Sequence, residues 1–174
     1  MLRYPELVLK LALIVLCIFG LLYFNSWTER TFSIVGPPAE KDVLEETLVD
    51  LQAPKERIPS LNTWIRSASG VTRIDPILLA CLLHTESGFK KDATSKKGYK
   101  GEAQTMRFSQ FSSVNILEGA EILRDKLSLS KGDTFEALTR YKGGKDKKEA
   151  QEQAMGVLKL YRIQLERRGL WKQG

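Results

Sequence analysis

Histidine and cysteine are nearly absent: the 174-residue chain has one His and two Cys. That leaves too few ligands for a zinc site of the usual His/Cys kind. A Ser-His-Asp or Cys-His nucleophile would have to centre on His84, and a better candidate lies two residues further on. No GxxxxGKS, GxxxxGKT or GxGxxG run occurs, which argues against the common phosphate-cradling nucleotide sites. A disulfide scaffold is excluded because Cys17 falls within a long apolar run. Internal repeats, low-complexity tracts and strand patterns of any length are also missing. What remains is 43% apolar and 28% charged, the composition of a globular chain rather than a disordered or polytopic one. The length allows one ordinary domain plus an appendage.

The appendage is the apolar run. Leu7 to Phe24 is apolar apart from Lys10. With Lys10 snorkelling to the interface, the stretch approaches the roughly 20 residues that a membrane helix needs. Tyr4, Tyr23 and Trp27 stand where interfacial aromatics belong. A cleaved signal peptide is the competing reading, but the run is long for one and no A-x-A-like site follows it. Residues 7–24 therefore read as an uncleaved transmembrane signal anchor behind a short cytoplasmic end at residues 1–6. Arg3, Lys10 and the amino terminus precede or begin the span, whereas Arg30 follows it beside Glu29. The positive-inside bias then places the bulk of the chain outside the cytoplasm.

Residues 25–56 carry seven acids against three basic residues, with Gly36-Pro37-Pro38 marking a linker. Within it Val43, Leu44, Thr47, Leu48 and Leu51 fit one face of a short helix over about 41–52, which either packs on the domain or stays in the tether. Residues 57–174 hold 22 Lys+Arg and 13 Asp+Glu, a net charge of +9. An acidic spacer thus precedes a basic domain.

That domain reads as mainly α. Ser60 is a candidate N-cap, followed by Leu61, Trp64, Ile65 and Ala68 at helical spacing. Asp75-Pro76 is an N-cap with proline at the first helical position. Behind it Leu78 to Thr85 is apolar almost all round, the pattern of a buried central helix. Ile116, Ala120, Leu123 and Leu127 mark a third helix, and Asp133 with Glu136 a capping box for a fourth. Ala150, Ala154, Val157, Tyr161 and Leu165 mark a fifth, closing near Gly169. Lys90 to Phe111 is polar, lacks helical period and reads as an ordered loop with room for a short hairpin.

Glu86 ends the apolar helix. A carboxyl group there is partly withdrawn from water, and both burial and the negative helix end favour its protonated form. That form is what a general acid for glycoside cleavage requires. Taken alone, Glu86 also reads as a solvated charge at a helix end.

Four pieces follow in order: Glu86-Ser87-Gly88-Phe89; Ser95 to Gln104 with Gly98 and Gly101; Asn115-Ile116-Leu117-Glu118-Gly119; and Ala137-Leu138-Thr139-Arg140-Tyr141-Lys142-Gly143-Gly144. Together they resemble the soluble-lytic-transglycosylase (SLT) family, with its E-S-x-F, S-x-x-G-(A or Y)-x-G-L-M-Q, N-I-x-x-G and A-L-x-x-Y-N-x-G signatures. The resemblance covers about residues 61–161. It implies a lysozyme-like helical domain that cleaves the β-1,4 bond between N-acetylmuramic acid and N-acetylglucosamine in peptidoglycan. Glu86 matches the single catalytic acid/base, and Ser87 the residue that holds the sugar near it. Gln104 matches a groove amide, and Tyr141 a tyrosine that contacts the acid or the substrate. Asn115 and Gly119 match structural positions, a helix start and a close packing. Tyr141 alone reads equally as a core aromatic, Gln104 as a loop amide, and Cys81 and His84 as structural residues.

The chain departs from this pattern twice. Glu102-Ala103 stands where Leu-Met is usual, so Glu102 either enters the groove or turns outward. Lys142 stands where Asn is usual; it lacks an acceptor and can pair with Glu86. The implied reaction needs no second carboxylate, and Asp92, the nearest in sequence, reads as a solvated loop acid. Lys90, Lys91, Lys96, Lys97 and Lys100 read either as a solvated loop or as an attraction for anionic wall polymer or membrane surface. Nucleic acid is not expected, because the cluster lacks interleaved aromatics apart from Tyr99. The resulting expectation is a single-pass inner-membrane lytic transglycosylase facing the cell wall, without metal or cofactor, serving an envelope-spanning machine in some settings. The alternative is a degenerate SLT domain that binds glycan or acts as a scaffold without turnover.

Overall fold

The computed structural model describes residues 42–106, 110–143 and 147–171. The proposed anchor at 7–24, the first part of the linker and Gly144 lie outside the described residues. Among the described residues no helix is long and apolar enough to cross a membrane. The compact unit runs from Lys41 to Gly174.

Six α-helices are present among the described residues: α1 (Val43–Asp50), α2 (Ile58–Thr72), α3 (Pro76–Ser87), α4 (Ser112–Leu129), α5 (Thr134–Lys142) and α6 (Lys147–Arg167). A short 3₁₀ turn, Lys55–Arg57, precedes α2. Isolated bridges pair Thr94 with Lys100 and Lys100 with Thr105, and no longer strand occurs among the described residues. The fold is therefore mainly α, as the periodicities predict.

Helix α3 is the axis of the core. Asp75 caps it, its Oδ1 accepting from the amides of Ile77 at 2.8 Å and Leu78 at 3.1 Å. Pro76 sits in the first turn, where no amide is needed. Every residue from Ile77 to Leu83 is buried. Helices α1, α2 and α6 pack around α3, while α4 packs on α2 and α5. Leu61, Ile65, Ile116, Leu123, Leu138 and Val157 close the core. Burying each such side chain contributes about 1.5–3 kcal/mol before the entropy of ordering is subtracted.

The start of α2, the start of the domain and the capping box of α5 depart from the sequence expectations. Helix α2 starts at Ile58, so Ser60 lies inside it and its hydroxyl donates to the Arg57 carbonyl at 2.9 Å. Proline in the first turn sets the start instead. The linker helix is α1, and it belongs to the compact unit: Leu44, Leu48 and Leu51 are buried in the common core. The domain thus begins before the composition shift at residue 57. Asp42 caps α1 and also accepts from Asn62 and Arg66 on α2. At the other end Asp50 pairs with Arg168 at 3.1 Å and Arg167 at 3.2 Å. Asp133 caps α5 through the Glu136 amide, but the Glu136 carboxylate pairs with Arg140 rather than reaching back.

Candidate functional site

Glu86 occupies the last turn of α3. The helix stops at Gly88, whose left-handed backbone returns its amide to the His84 carbonyl at 2.9 Å. Phe89 then turns into the core and is fully buried. His84 packs its ring against Phe89, with centroids 5.8 Å apart, and does not line the groove described below. The chain therefore leaves α3 at a fixed angle, and Glu86 stays half-buried at the edge of the core.

The segment from Lys90 to Met106 is held by hydrogen bonds rather than by helix. Lys100 and Thr105 exchange backbone bonds at 3.0 and 3.1 Å, and the Gly101 amide donates to the Ala93 carbonyl at 2.9 Å. Gln104, in the left-handed region at φ 48°, donates its side-chain amide to the Gly101 and Ala93 carbonyls. Asn115 lies inside α4, not at its start, and serves this loop. Its Oδ1 accepts from the Ala103 amide at 2.8 Å, and its Nδ2 donates to the Lys100 carbonyl and Thr105 Oγ1. Gly119 lets α4 approach Ala103: a Cβ at this position would lie 2.4 Å from the Ala103 Cβ and 3.0 Å from the Tyr141 hydroxyl.

Three further groups converge on residues 102 and 103. The Tyr141 hydroxyl donates to the Ala103 carbonyl at 2.9 Å, and Ser87 Oγ donates to the Glu102 carbonyl at 2.8 Å. The Glu102 side chain neither enters the groove nor turns outward. It is 1% exposed and meets the Arg57 guanidinium at 2.5 Å. Arg57 also donates to the Phe89 carbonyl and to Ser112 Oγ. One guanidinium thus ties the start of α2, the turn after α3, the loop and the start of α4 together.

A groove of about 1170 Å³ opens over this platform. Glu86, Gln104, Tyr141 and Lys142 line it together, although they come from three separate parts of the chain. Ser87 does not, its hydroxyl being spent on the loop. Asp92 is exposed and also stays outside. Lys96 and Lys97 of the basic cluster line one part of the groove. Tyr99, Met106 and Ile122 supply apolar surface.

The sequence reading missed the face of α4 that contributes Glu118, Glu121 and Asp125. Their i, i+3, i+7 spacing on a helix whose opposite face is apolar was the available signal. Glu118 Oε2 accepts from Thr105 Oγ1 at 2.9 Å. It is a second carboxylate in the groove, where the sequence offered only Asp92.

Electrostatics at the site centre on Glu86 and Lys142. The ammonium lies 2.8 Å from Glu86 Oε1, with side-chain exposures of 5% for Lys142 and 14% for Glu86. It also donates to Thr85 Oγ1 at 3.1 Å. Glu86 Oε1 receives no well-aligned hydrogen bond, so the contact is an ion pair by proximity. Tyr141 stays a neutral donor: burial pushes its pKa well up, and the Glu86 and Glu118 charges push the same way. Among the described residues no group of three or more His, Cys, Asp or Glu side chains is placed to hold a metal ion. The chemistry on offer is proton transfer by half-buried carboxyl groups, Glu86 at the end of α3 and Glu118 on α4, in a wide, polar groove. No protein-family model, curated protein or solved structure matches this chain.

Proposed function

We propose that this chain is a peptidoglycan lytic transglycosylase of the SLT kind, anchored through residues 7–24 so that its domain faces the cell wall. The observation that carries the reading is the placement of Glu86. It ends a buried helix, is only 14% exposed, and opens onto the same groove as Gln104 and Tyr141. Those are the residues that the SLT resemblance assigns to acid, groove and substrate contact.

In the proposed reaction, protonated Glu86 gives its proton to the glycosidic oxygen as the bond from C1 of the muramyl sugar breaks. The acetamido group of that sugar assists departure. Its 6-hydroxyl then attacks C1 and returns a proton to Glu86. The product carries a 1,6-anhydro end, and no water is consumed. A hydrolase would instead use water with a second carboxylate, and Glu118 is the group in the groove that such a route would recruit.

The test is digestion of purified peptidoglycan by the full chain in mild detergent, read by mass spectrometry beside Glu86→Gln. Products lighter by one water than hydrolytic ones, and lost in the variant, are expected. Hydrated products dependent on Glu86 would make the enzyme a hydrolase. The Lys142 ammonium against Glu86 favours one second reading, a glycan-binding domain without turnover. Strand binding with no product from either protein would establish that reading and end the first.

A further inference from the structure

We infer that Lys142 is a specificity latch, which occupies Glu86 until a carboxylate of the substrate takes the ammonium in exchange. The inference rests on the transglycosylase reading and adds the substrate chemistry that the site selects.

A general acid must be free to meet the glycosidic oxygen, and Glu86 Oε1 is instead taken up by the Lys142 ammonium at 2.8 Å. The pair does not separate freely, because the Lys142 side chain is 95% withdrawn from solvent and both charges would be left without partners. Thr85 Oγ1 is the other contact of the ammonium, and a hydroxyl does not replace a charge. Two of the other groove charges are engaged elsewhere. Arg140 pairs with Glu136, and Glu118 accepts from Thr105.

Lys142 and Glu86 both line the groove, so an incoming ligand reaches both. A neutral glycan offers hydroxyls and amides, none of which can take the place of Glu86 beside the ammonium. A muramyl sugar offers a carboxylate on its lactyl arm where the stem peptide is absent, and the carboxyl groups of the stem peptide where it is present. Lys142 can then exchange one carboxylate for another with no net change in paired charge, and Glu86 is released to the glycosidic bond. The latch opens for anionic strands and stays closed for neutral ones.

The test uses the full chain and Lys142→Asn in mild detergent. The substrates are peptide-stripped glycan strands with free lactyl carboxylates, and the same strands with those groups converted to methyl amides. The wild type is expected to prefer the anionic strands by on the order of 10- to 100-fold in kcat/KM. Lys142→Asn is expected to lose that preference and to cleave the neutral strands faster than the wild type does. Equal wild-type rates on both strands, or an unchanged preference in Lys142→Asn, would overturn the latch. Calorimetric binding of both strands is measured in parallel, and it separates the two proposals. If neither protein cleaves either strand, the transglycosylase reading fails. A wild-type binding preference for anionic strands that Lys142→Asn abolishes would still establish Lys142 as the carboxylate receiver. Absence of that preference would overturn the latch as well.

Discussion

Replacing Arg57 by Met should destabilise the domain far more than a surface charge change does. Arg57 holds three groups at once: the Phe89 carbonyl, Ser112 Oγ at 3.2 Å and Glu102 Oε1 at 2.5 Å. Glu102 is 1% exposed, so losing the guanidinium leaves a buried carboxylate with no countercharge. Breaking such a pair from one side costs about 3–5 kcal/mol. That is a large share of the 5–15 kcal/mol by which domains are typically stable. For a unit of this size it corresponds to a fall in Tm of about 10–20 °C. Met keeps the stem volume, so packing loss contributes little. The double variant Arg57→Met/Glu102→Leu removes both charges and supplies apolar volume where the SLT pattern has Leu. It should recover to within about 2 kcal/mol of the wild type, the residue reflecting the Phe89 carbonyl and Ser112 hydroxyl. Thermal unfolding of the wild type, Arg57→Met, Glu102→Leu and the double variant by far-ultraviolet circular dichroism closes the cycle. A loss below about 1 kcal/mol in Arg57→Met, or a double variant as unstable as that single one, would refute the argument that Glu102 is neutralised by Arg57.

The Glu86→Gln and Lys142→Asn experiments test the site itself, and two more predictions test its frame. Gly119→Ala places a Cβ 2.4 Å from that of Ala103, which the Asn115 and Tyr141 bonds fix in place. It should cost about 1–3 kcal/mol by overpacking, and Gly119→Ala/Ala103→Gly should relieve most of that in the same unfolding assay. Helix α1 should loosen in acid. Burial opposes the charge on Asp42, yet the bonds from Asn62 and Arg66 outweigh it and hold the pKa below the ordinary value. For Asp50, too, desolvation is the largest single effect and opposes the charge, but the bonds and charges of Arg168 and Arg167 together outweigh it and lower the pKa. Folded pKa values below the unfolded ones give stability that is complete above about pH 4 and is lost as pH falls through the folded values. Amide protection factors should therefore drop in α1 before α3 below about pH 4, and a simultaneous drop would count against the idea.

Much of the fold is legible because its signals are local. Asp75-Pro76 specifies the start of α3 with two residues, and the unbroken apolar run behind it requires burial on every side. The spacing of Ala150, Ala154 and Val157 marks the buried stripe of α6 in the same way. Where a signal depends on partners, the reading slips. Ser60 has a good capping side chain, but Pro59 and the 3₁₀ turn before it start the helix earlier. Nothing within residues 41–52 decides whether α1 packs or stays in a tether. That outcome depends on Asn62, Arg66, Arg167 and Arg168, which are distant in sequence.

The site shows the same division. The position of Glu86 follows from α3 alone, whereas the fate of each departure from the SLT pattern depends on residues distant in sequence. Glu102 and Arg57 are 45 positions apart, and Lys142 and Thr85 are 57 apart. Both departures add a charge. The sequence allows Lys142 to pair with Glu86, and that pair forms at 2.8 Å; it leaves Glu102 between groove and solvent, and neither holds. Their surroundings set them further apart. Glu102 is enclosed, neutralised by Arg57 and bound into the loop through its own carbonyl, so its charge ends within the frame. Lys142 comes from the last turn of α5, beside the groove, and the carboxylate within its reach is the one on which the proposed chemistry depends. A buried charge whose partner belongs to the frame affects stability. A buried charge whose partner is Glu86 bears instead on the proposed chemistry, and that is why Lys142 rather than Glu102 is the position at which the proposed substrate selection is tested.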